Sequence, residues 1–214
     1  MRHPKDIFLA NPGRIYCFAD SATLCRTLLG AGARVIQLRY KAAGDSAFRQ
    51  IASEMLVLVR SYEDAVLIVN DRVDIALEIG ADGIHVGQED LDYREVMSRA
   101  PASMIVGVSA RTPDLARSAD RAGATYVGAG AVFATPTKPE AVVIGLPGLR
   151  EVVTAVDIPV VAIGGIGAGN LQAVLAAGVR YCAVISGIND SPDPGAALRQ
   201  LLAISASFPV RQGR

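Results

Sequence analysis

The feature that most constrains this chain is a series of eight short apolar runs separated by stretches with helical periodicity. The runs are rich in β-branched residues and do not alternate between apolar and polar positions. They cover residues 15–18, 35–38, 66–69, 83–86, 104–108, 125–127, 160–163 and 182–185. A strand that is apolar throughout is buried on both faces, as in parallel sheets covered by helices. The pattern therefore predicts a parallel sheet with helices between its strands.

The stretches between the runs carry helix signals. One apolar stripe at helical spacing comprises Phe48, Ile51, Ala52, Met55, Leu56 and Val59. Helix starts are indicated at Asp20/Ser21, at Asp45/Ser46, and at Thr112 with Pro113 behind it. Helix ends are indicated by glycines placed just before a strand, and each predicts a left-handed C-terminal cap. These glycines are Gly32, Gly80, Gly123 and Gly178.

Two architectures satisfy this order of elements. Right-handed crossovers between parallel strands allow an open doubly wound sheet, of flavodoxin-like or Rossmann type, or a closed barrel. Eight strand-plus-helix units in only 214 residues favour closure. We predict an α/β fold, a single-domain (β/α)8 TIM barrel, whose core covers about residues 14–205 between short N- and C-terminal tails.

The balanced net charge limits which partners the protein can bind. The 21 basic residues balance 21 acidic ones, whereas non-specific binding to nucleic acid or to an anionic membrane needs a positive field. The uncharged stretch 158–179 is long enough to span a bilayer. Its proline and glycines fit a buried strand, a glycine loop and a helix better. We predict small-molecule partners, with no nucleic acid and no membrane.

Cysteine usage and the N-terminal residues bear on the compartment. Cys17, Cys25 and Cys182 lack the spacing of a zinc site or a disulfide framework. The first residues have no long apolar core behind their charges, so they do not read as a signal peptide. A reducing cytoplasm is the expected location.

Polar residues cluster where the first strands end, which in a barrel is the face that carries chemistry. Alternation places Gln37, Arg39 and Lys41 on one side of their strand, as a donor-rich arm for a multiply charged anion. Asp71 and Asp90 follow neighbouring strands, and such a pair suits Mg²⁺ that shares phosphate oxygens. Taken alone, His85 reads better as a hydrogen-bonded core residue than as a base.

The second half of the chain indicates a different anion site. A strand ends at Ser109, and a hydroxyl-rich loop follows at Thr135, Thr137 and Lys138. The Gly164-Gly165 turn and Ser186 follow the last two strands, where many barrels bind phosphate through backbone N–H groups. Two anion sites on one rim predict two phosphorylated small molecules held together. Metal-assisted departure of diphosphate is a simpler chemistry here than a Schiff base on Lys41 or Lys138.

The motifs QLRYK, NDR, GIHVGQED, VGVSA, VFATPTK, AIGGI and AVISGI, between Ile15 and about Ile188, resemble those of the thiamine phosphate synthase family in order and approximate spacing. The resemblance implies a TIM-barrel transferase. Such an enzyme condenses 4-amino-5-hydroxymethyl-2-methylpyrimidine diphosphate with 4-methyl-5-(2-hydroxyethyl)thiazole phosphate and releases diphosphate. It also implies Mg²⁺ as the cofactor.

The resemblance assigns site residues as well. By it, the pyrimidine diphosphate binds to Gln37, Leu38, Arg39, Tyr40, Lys41, Asn70, Ser109 and Lys138. The thiazole phosphate binds to Thr135, Pro136, Thr137, Gly165, Ile185 and Ser186. Asp71 and Asp90 hold Mg²⁺, and the catalytic roles belong to Arg39, Lys41, Lys138 and Ser109.

Departures from the family pattern leave alternatives. Ala131 stands where such synthases carry proline or histidine and where the similar thiazole tautomerases carry a catalytic histidine, and Arg111 replaces a frequent histidine. The alternatives are a tautomerase-like isomerase and a non-catalytic thiazole phosphate sensor. A homodimer and a lid formed by residues 138–145 are further expectations.

Overall fold

A computed structural model describes residues 3–88 and 93–208, and its centre is a closed barrel of eight parallel strands in sequence order. The strands are β1 (Ile15–Ala19), β2 (Val35–Leu38), β3 (Val66–Asn70), β4 (Gly83–Val86), β5 (Ile105–Ser109), β6 (Tyr126–Ala129), β7 (Val160–Ile163) and β8 (Tyr181–Val184). The predicted (β/α)8 barrel is confirmed. The open doubly wound sheet is wrong, because β1 also pairs with β8.

Helices surround the barrel and connect its strands. They are α1 (Pro4–Ala10), α2 (Ala22–Gly30), α3 (Asp45–Arg60), α4 (Val73–Glu78), α5 (Tyr93–Arg99), α6 (Pro113–Arg121), α7 (Gly145–Ala155), α8 (Leu171–Leu175), α9 (Ser186–Asn189) and α10 (Pro194–Ala206). The stripe predicted on α3 packs inward: all its members are buried except Ile51, which is partly buried against the same core.

The helix ends follow the sequence signals with one exception. Ser21 and Thr112 cap α2 and α6, each side-chain oxygen accepting a hydrogen bond from a backbone N–H three residues on, at 3.3 Å. The four predicted cap glycines all have positive φ, between 64° and 108°. The prediction at Asp45/Ser46 is wrong in detail, because Gly44 is the N-cap of α3. Asp45 lies inside that helix, and its carboxylate pairs with Arg72.

Strand residues divide between two cores. Side chains at alternate positions face the outer helices, and the remainder fill the barrel interior. The interior set includes Tyr16, Phe18, Val35, Val66, Ile68, Ile105, Tyr126, Val161, Tyr181 and Ala183. Three tyrosines in this set make the interior unusually polar for a barrel centre.

Helix α1 closes the lower end of the barrel, whereas the sequence predicted only a short tail there. Phe8 has no exposed surface, and its ring lies 5.1 Å from that of Tyr126 and 4.9 Å from that of Tyr181. The Tyr181 hydroxyl donates to the carbonyl oxygen of Phe8 at 2.5 Å. The N-terminal helix is therefore part of the core.

No helix in ranges 3–88 and 93–208 is long and apolar enough to cross a membrane. The uncharged stretch 158–179 forms β7, a glycine loop and α8, as predicted. The tail predicted after Phe208 lies outside the described residues.

We expect Phe8→Ala to lower the free energy of unfolding by about 3–5 kcal/mol, because it leaves a cavity between two buried rings. Leu9→Ala is the matched control, since Leu9 is 46% exposed on the same helix and its truncation should cost less than about 0.5 kcal/mol. Urea unfolding of the two variants measures the difference. Equal effects would show that α1 does not close the core.

Candidate active site

A cleft of about 350 Å³ opens at the carboxyl ends of the strands. Parallel pairing brings residues far apart in sequence to this rim; for example, Asn70 pairs with His85 and Ser109 with Gly128. Most of the predicted site residues line the cleft: Gln37, Arg39, Lys41, Asn70, Asp71, Ser109, Thr135, Thr137, Lys138, Gly165, Ile185 and Ser186. These residues therefore belong to one site at the rim of the barrel.

Of the assigned residues that the structure describes, three lie outside the lining. Leu38 is fully buried in the core between barrel and helices, because its position in β2 faces outward from the barrel. The side chain of Tyr40 is 38% exposed, and Pro136 lies between two lining threonines without lining the cleft itself. Alternation within β2 directs Gln37 inward and Leu38 outward, whereas Arg39 and Lys41 line the cleft from beyond the end of that strand.

Asp71 holds an uncommon backbone conformation, with φ of 61°. Its N–H donates to the carbonyl oxygen of His85 at 2.9 Å, and its carboxylate accepts from the Asn70 amide at 2.6 Å. A left-handed residue other than glycine costs free energy and is concentrated at functional sites. The sequence carried one signal for it, since aspartate tolerates this conformation better than most residues.

The oxygen donors at this end of the cleft fit Mg²⁺ in part. Asp71 offers a carboxylate, while Asn70 and Gln88 offer amide oxygens on the same lining. Asp90, the second predicted ligand, lies outside the described residues. Within the described ranges, no cluster of three or more His, Cys, Asp or Glu side chains could hold a metal ion. The donor set suits a cation that takes most of its ligands from water and a phosphorylated substrate.

A chain of hydrogen bonds crosses the barrel beneath the cleft. The Gln37 amide donates to the Tyr16 hydroxyl at 2.9 Å, and the Tyr16 and Tyr126 hydroxyls are 2.9 Å apart. The Tyr126 hydroxyl lies 2.9 Å from His85 Nδ1, and His85 Nε2 lies 3.0 Å from Ser109 Oγ. Sequence reasoning missed both tyrosines. The glycine within β5, Gly107, was the available signal, because a Cβ there would lie 2.1 Å from the Tyr126 ring.

Burial keeps the tyrosine hydroxyls and cysteine thiols of the two cores protonated. It raises the pKa of Tyr16 and Tyr126 well above the usual phenol value, so both hydroxyls keep their protons. It also raises the pKa of each cysteine thiol, Cys17, Cys25 and Cys182, to about 12. A thiol with so high a pKa is a poor nucleophile at neutral pH.

The opposite side of the cleft is formed by backbone-rich loops. Gly165 has φ of 62°, and a Cβ on it would lie 2.5 Å from the Ala134 carbonyl oxygen. Asn170, which the sequence did not reveal, fixes this turn by accepting from the Gly167 N–H at 2.9 Å and donating to the Gly165 carbonyl at 2.8 Å. The turn is therefore held open at a site where only glycine fits.

The loop after β6 joins this side of the cleft. Its two ends are fixed, because the Val132 N–H donates to the Ile163 carbonyl at 2.9 Å and the Ile144 N–H to the Ala131 carbonyl at 2.8 Å. Between them Val142 lines the cleft while 64% exposed. Ala131 lies on the lining and has no group that transfers a proton. The lid over residues 138–145 stays a prediction.

Comparison with known proteins identifies relatives along nearly the whole chain. A model of the thiamine monophosphate synthase family matches residues 8–188. The chain is 45% identical over 219 residues to the thiamine-phosphate synthase of Roseiflexus castenholzii, covering 95% of this chain and 96% of that protein. It is 43% identical over 194 residues to the thiamine-phosphate synthase of Caldivirga maquilingensis, covering 91% and 93%.

Solved structures agree in fold. Thiamine phosphate pyrophosphorylase from Pyrococcus furiosus superposes with a TM-score of 0.86 at 39% identity, over 92% of this chain and 98% of that one. A 3-hexulose-6-phosphate synthase superposes with a TM-score of 0.68 at 20% identity, over 89% and 98%, and shows the shared barrel alone.

We expect the free energy of unfolding to fall as the pH rises above about 9, where unfolded thiols lose their protons and the folded ones do not. The unfolded state then binds fewer protons, so the stability present at neutral pH is lost progressively towards about pH 12. Urea unfolding across this range measures the slope, which should be shallower in Cys182→Ala. A stability that is constant with pH would contradict the burial of these groups.

Proposed function

The chain belongs to the thiamine monophosphate synthase family, and on that premise we propose how its cleft joins a pyrimidine diphosphate to a thiazole phosphate. The family makes it a transferase that forms thiamine phosphate. The observation that supports the proposal is that one cleft carries two kinds of group. Arg39 and Lys41 supply cations after β2, and Arg111 and Lys138 add cations from the loops after β5 and β6. The Gly165 turn with Ser186 supplies neutral backbone and hydroxyl groups after β7 and β8. Two phosphorylated substrates of different charge match these two kinds of surface.

The basic side fits the diphosphate. Arg39 and Lys41 follow the end of β2, and Lys138 lines the same cleft from the loop after β6, across the closed barrel. Cations placed around a departing diphosphate stabilise the charge that grows on it as the C–O bond breaks. These three side chains therefore favour the transition state over the bound substrate.

Mg²⁺ is the cofactor that we propose for this side, held by Asp71 and by Asp90. When bound, it supplies positive charge and oxygen coordination to the diphosphate. Asp71 is the described residue that carries this role. Its left-handed backbone and its hydrogen bond from Asn70 hold the carboxylate towards the lining.

The neutral side fits the thiazole phosphate. Thr135, Thr137 and Ser186 offer hydroxyl donors, and the Gly165 turn offers backbone that a phosphate can approach closely. A phosphate anchored here orients the thiazole ring towards the pyrimidine carbon. Such orientation alone accounts for a large part of a bimolecular rate enhancement.

The bond changes need no general base. The C–O bond breaks with its electron pair leaving on diphosphate, the electron-rich aminopyrimidine carries the methylene cation, and the thiazole nitrogen donates its lone pair to that carbon. No proton is lost from the nitrogen, which becomes quaternary. Ala131 agrees with this scheme, because a tautomerase needs a proton-transferring group at that position and alanine has none. The predicted tautomerase is thus the weaker alternative.

A direct assay tests the function. The protein is mixed with both phosphorylated substrates and Mg²⁺, and thiamine phosphate and diphosphate are measured. Binding of the thiazole phosphate without turnover would favour the sensor alternative. The buried free thiols support a reducing, cytoplasmic location, which with the homodimer stays a prediction.

We expect Asp71→Asn to lower turnover by at least about a hundredfold, because the carboxylate charge is lost while asparagine still tolerates the left-handed backbone. The circular dichroism spectrum should be unchanged. Asp74→Asn is the control, since that carboxylate is exposed and pairs with Arg99 on the outer surface. Near-normal turnover of Asp71→Asn at ordinary Mg²⁺ concentrations would contradict the metal assignment.

We expect Gly165→Ala to raise the KM for the thiazole phosphate by about tenfold or more, because the new Cβ displaces the Ala134 carbonyl and strains the turn. Gly167→Ala is a matched control two residues away, where a Cβ meets no atom within 4 Å. Steady-state kinetics with each substrate varied in turn measures both. A rise confined to the pyrimidine diphosphate KM would place the thiazole phosphate elsewhere.

A further inference from the structure

We propose that Tyr16 and Tyr126 are positioning residues that polarise the hydrogen-bond chain beneath the cleft in one direction, so that Ser109 donates a hydrogen bond to the pyrimidine substrate. The inference deepens the proposed function and rests on it for the identity of that substrate. The two tyrosines act through His85, whose tautomer they set. Their own hydroxyls are occupied within the chain.

The direction follows from counting protons. The Gln37 amide nitrogen can only donate, so Tyr16 accepts from it. Tyr16 has one proton and one remaining neighbour in the chain, the Tyr126 oxygen at 2.9 Å. If Tyr126 donated to Tyr16 instead, the buried Tyr16 proton would have no acceptor, at a cost of about 1–3 kcal/mol. Tyr16 therefore donates to Tyr126.

The remaining hydrogen bonds, from Tyr126 to the cleft, run in the same direction. The buried Tyr126 proton also needs an acceptor, and with Tyr16 donating to Tyr126 the remaining one in the hydrogen-bond chain is His85 Nδ1 at 2.9 Å. A neutral imidazole that accepts at Nδ1 carries its proton on Nε2. That N–H donates to Ser109 Oγ at 3.0 Å, and the serine proton is left directed away from the imidazole, into the cleft. Ser109 becomes a donor.

The surroundings keep the tyrosines in this role. The Tyr126 ring stacks on His85 with centroids 5.6 Å apart, and the absent side chain of Gly107 leaves the space that the ring fills. Tyr16 and Tyr126 are each 1% exposed. Because burial raises the pKa of both phenols, neither loses its proton at physiological pH. Both phenols thus keep the protons on which the polarity of the hydrogen-bond chain depends.

The consequence concerns recognition of the ring. The ring nitrogens of an aminopyrimidine accept hydrogen bonds, so a serine that donates matches them. In the reverse polarity, Ser109 would give its proton to His85 and present only lone pairs, which suit the exocyclic amino group and not the ring nitrogens. Under the proposed function, Gln37 also binds the pyrimidine. Gln37 and Ser109, the two ends of the hydrogen-bond chain, are then coupled through the barrel interior.

Nuclear magnetic resonance of the histidine side chains tests the polarity without any substrate. The protein has two histidines, so His3→Gln leaves His85 as the one ¹⁵N-labelled imidazole. We expect its nitrogen shifts to show a neutral ring protonated at Nε2, and we expect Tyr126→Phe to add the Nδ1-protonated form. A ring protonated mainly at Nδ1 before the tyrosine is changed would overturn the proposal.

Kinetics test the consequence. Tyr126→Phe should lower kcat/KM for the pyrimidine diphosphate by about tenfold while leaving the KM for the thiazole phosphate within about twofold. Combined with Ser109→Ala, it should cause little further loss, because both changes remove the same hydrogen bond. Fully multiplicative losses would overturn the link through Ser109.

Tyr181→Phe is the matched control. It also removes a buried hydroxyl from the barrel interior, but that hydroxyl donates to the Phe8 carbonyl at the closed end. It should lower stability as Tyr126→Phe does and leave the pyrimidine kinetics unchanged. Equal kinetic losses in both variants would show a merely structural role. If the unaltered protein made no thiamine phosphate, the proposed function would fail. The resonance experiment would still test the direction of the hydrogen bonds between Gln37 and Ser109.

Discussion

The parallel, closed pairing of eight strands is the constraint on which the site depends. Because every strand runs the same way, every carboxyl end reaches one rim, and alternation along each strand decides which side chains face inward. This is why Gln37 lines the cleft while Leu38 packs against the helices. The register also decides which side chains are neighbours at the rim: Asn70 lies beside His85, and Ser109 beside Gly128, each pair coming from two consecutive strands.

Local signals in the sequence predicted the barrel and most of the rim. Apolar runs, helix caps and left-handed glycines each depend on a few neighbouring residues, so they can be read without coordinates. The Tyr16–Tyr126 contact joins residues 110 positions apart, and no local pattern encodes it. Helix α1 was missed because seven residues are too few to show a period. The Asp71 backbone and the Asn170 contacts likewise arise from tertiary packing.

The interior combines large polar residues with small ones in a complementary way. Gly107 leaves space for the Tyr126 ring, and a Cβ on Gly128 would lie 3.2 Å from the His85 ring. Burying phenols and an imidazole is costly unless every donor finds an acceptor. The chain from Gln37 to Ser109 meets that demand with four hydrogen bonds. A network whose members all have partners favours one arrangement of its side chains.

Helix α1 affects how substrates enter and products leave the cleft. With Phe8 seated in the lower opening, the described barrel has a blind end, and reactants and products must share the upper mouth. With a single opening, entry and exit are ordered. The substrate that binds deeper, next to Tyr16 and Tyr126, must enter before the other substrate covers it, and it can leave only after the other has left or after the two have been joined.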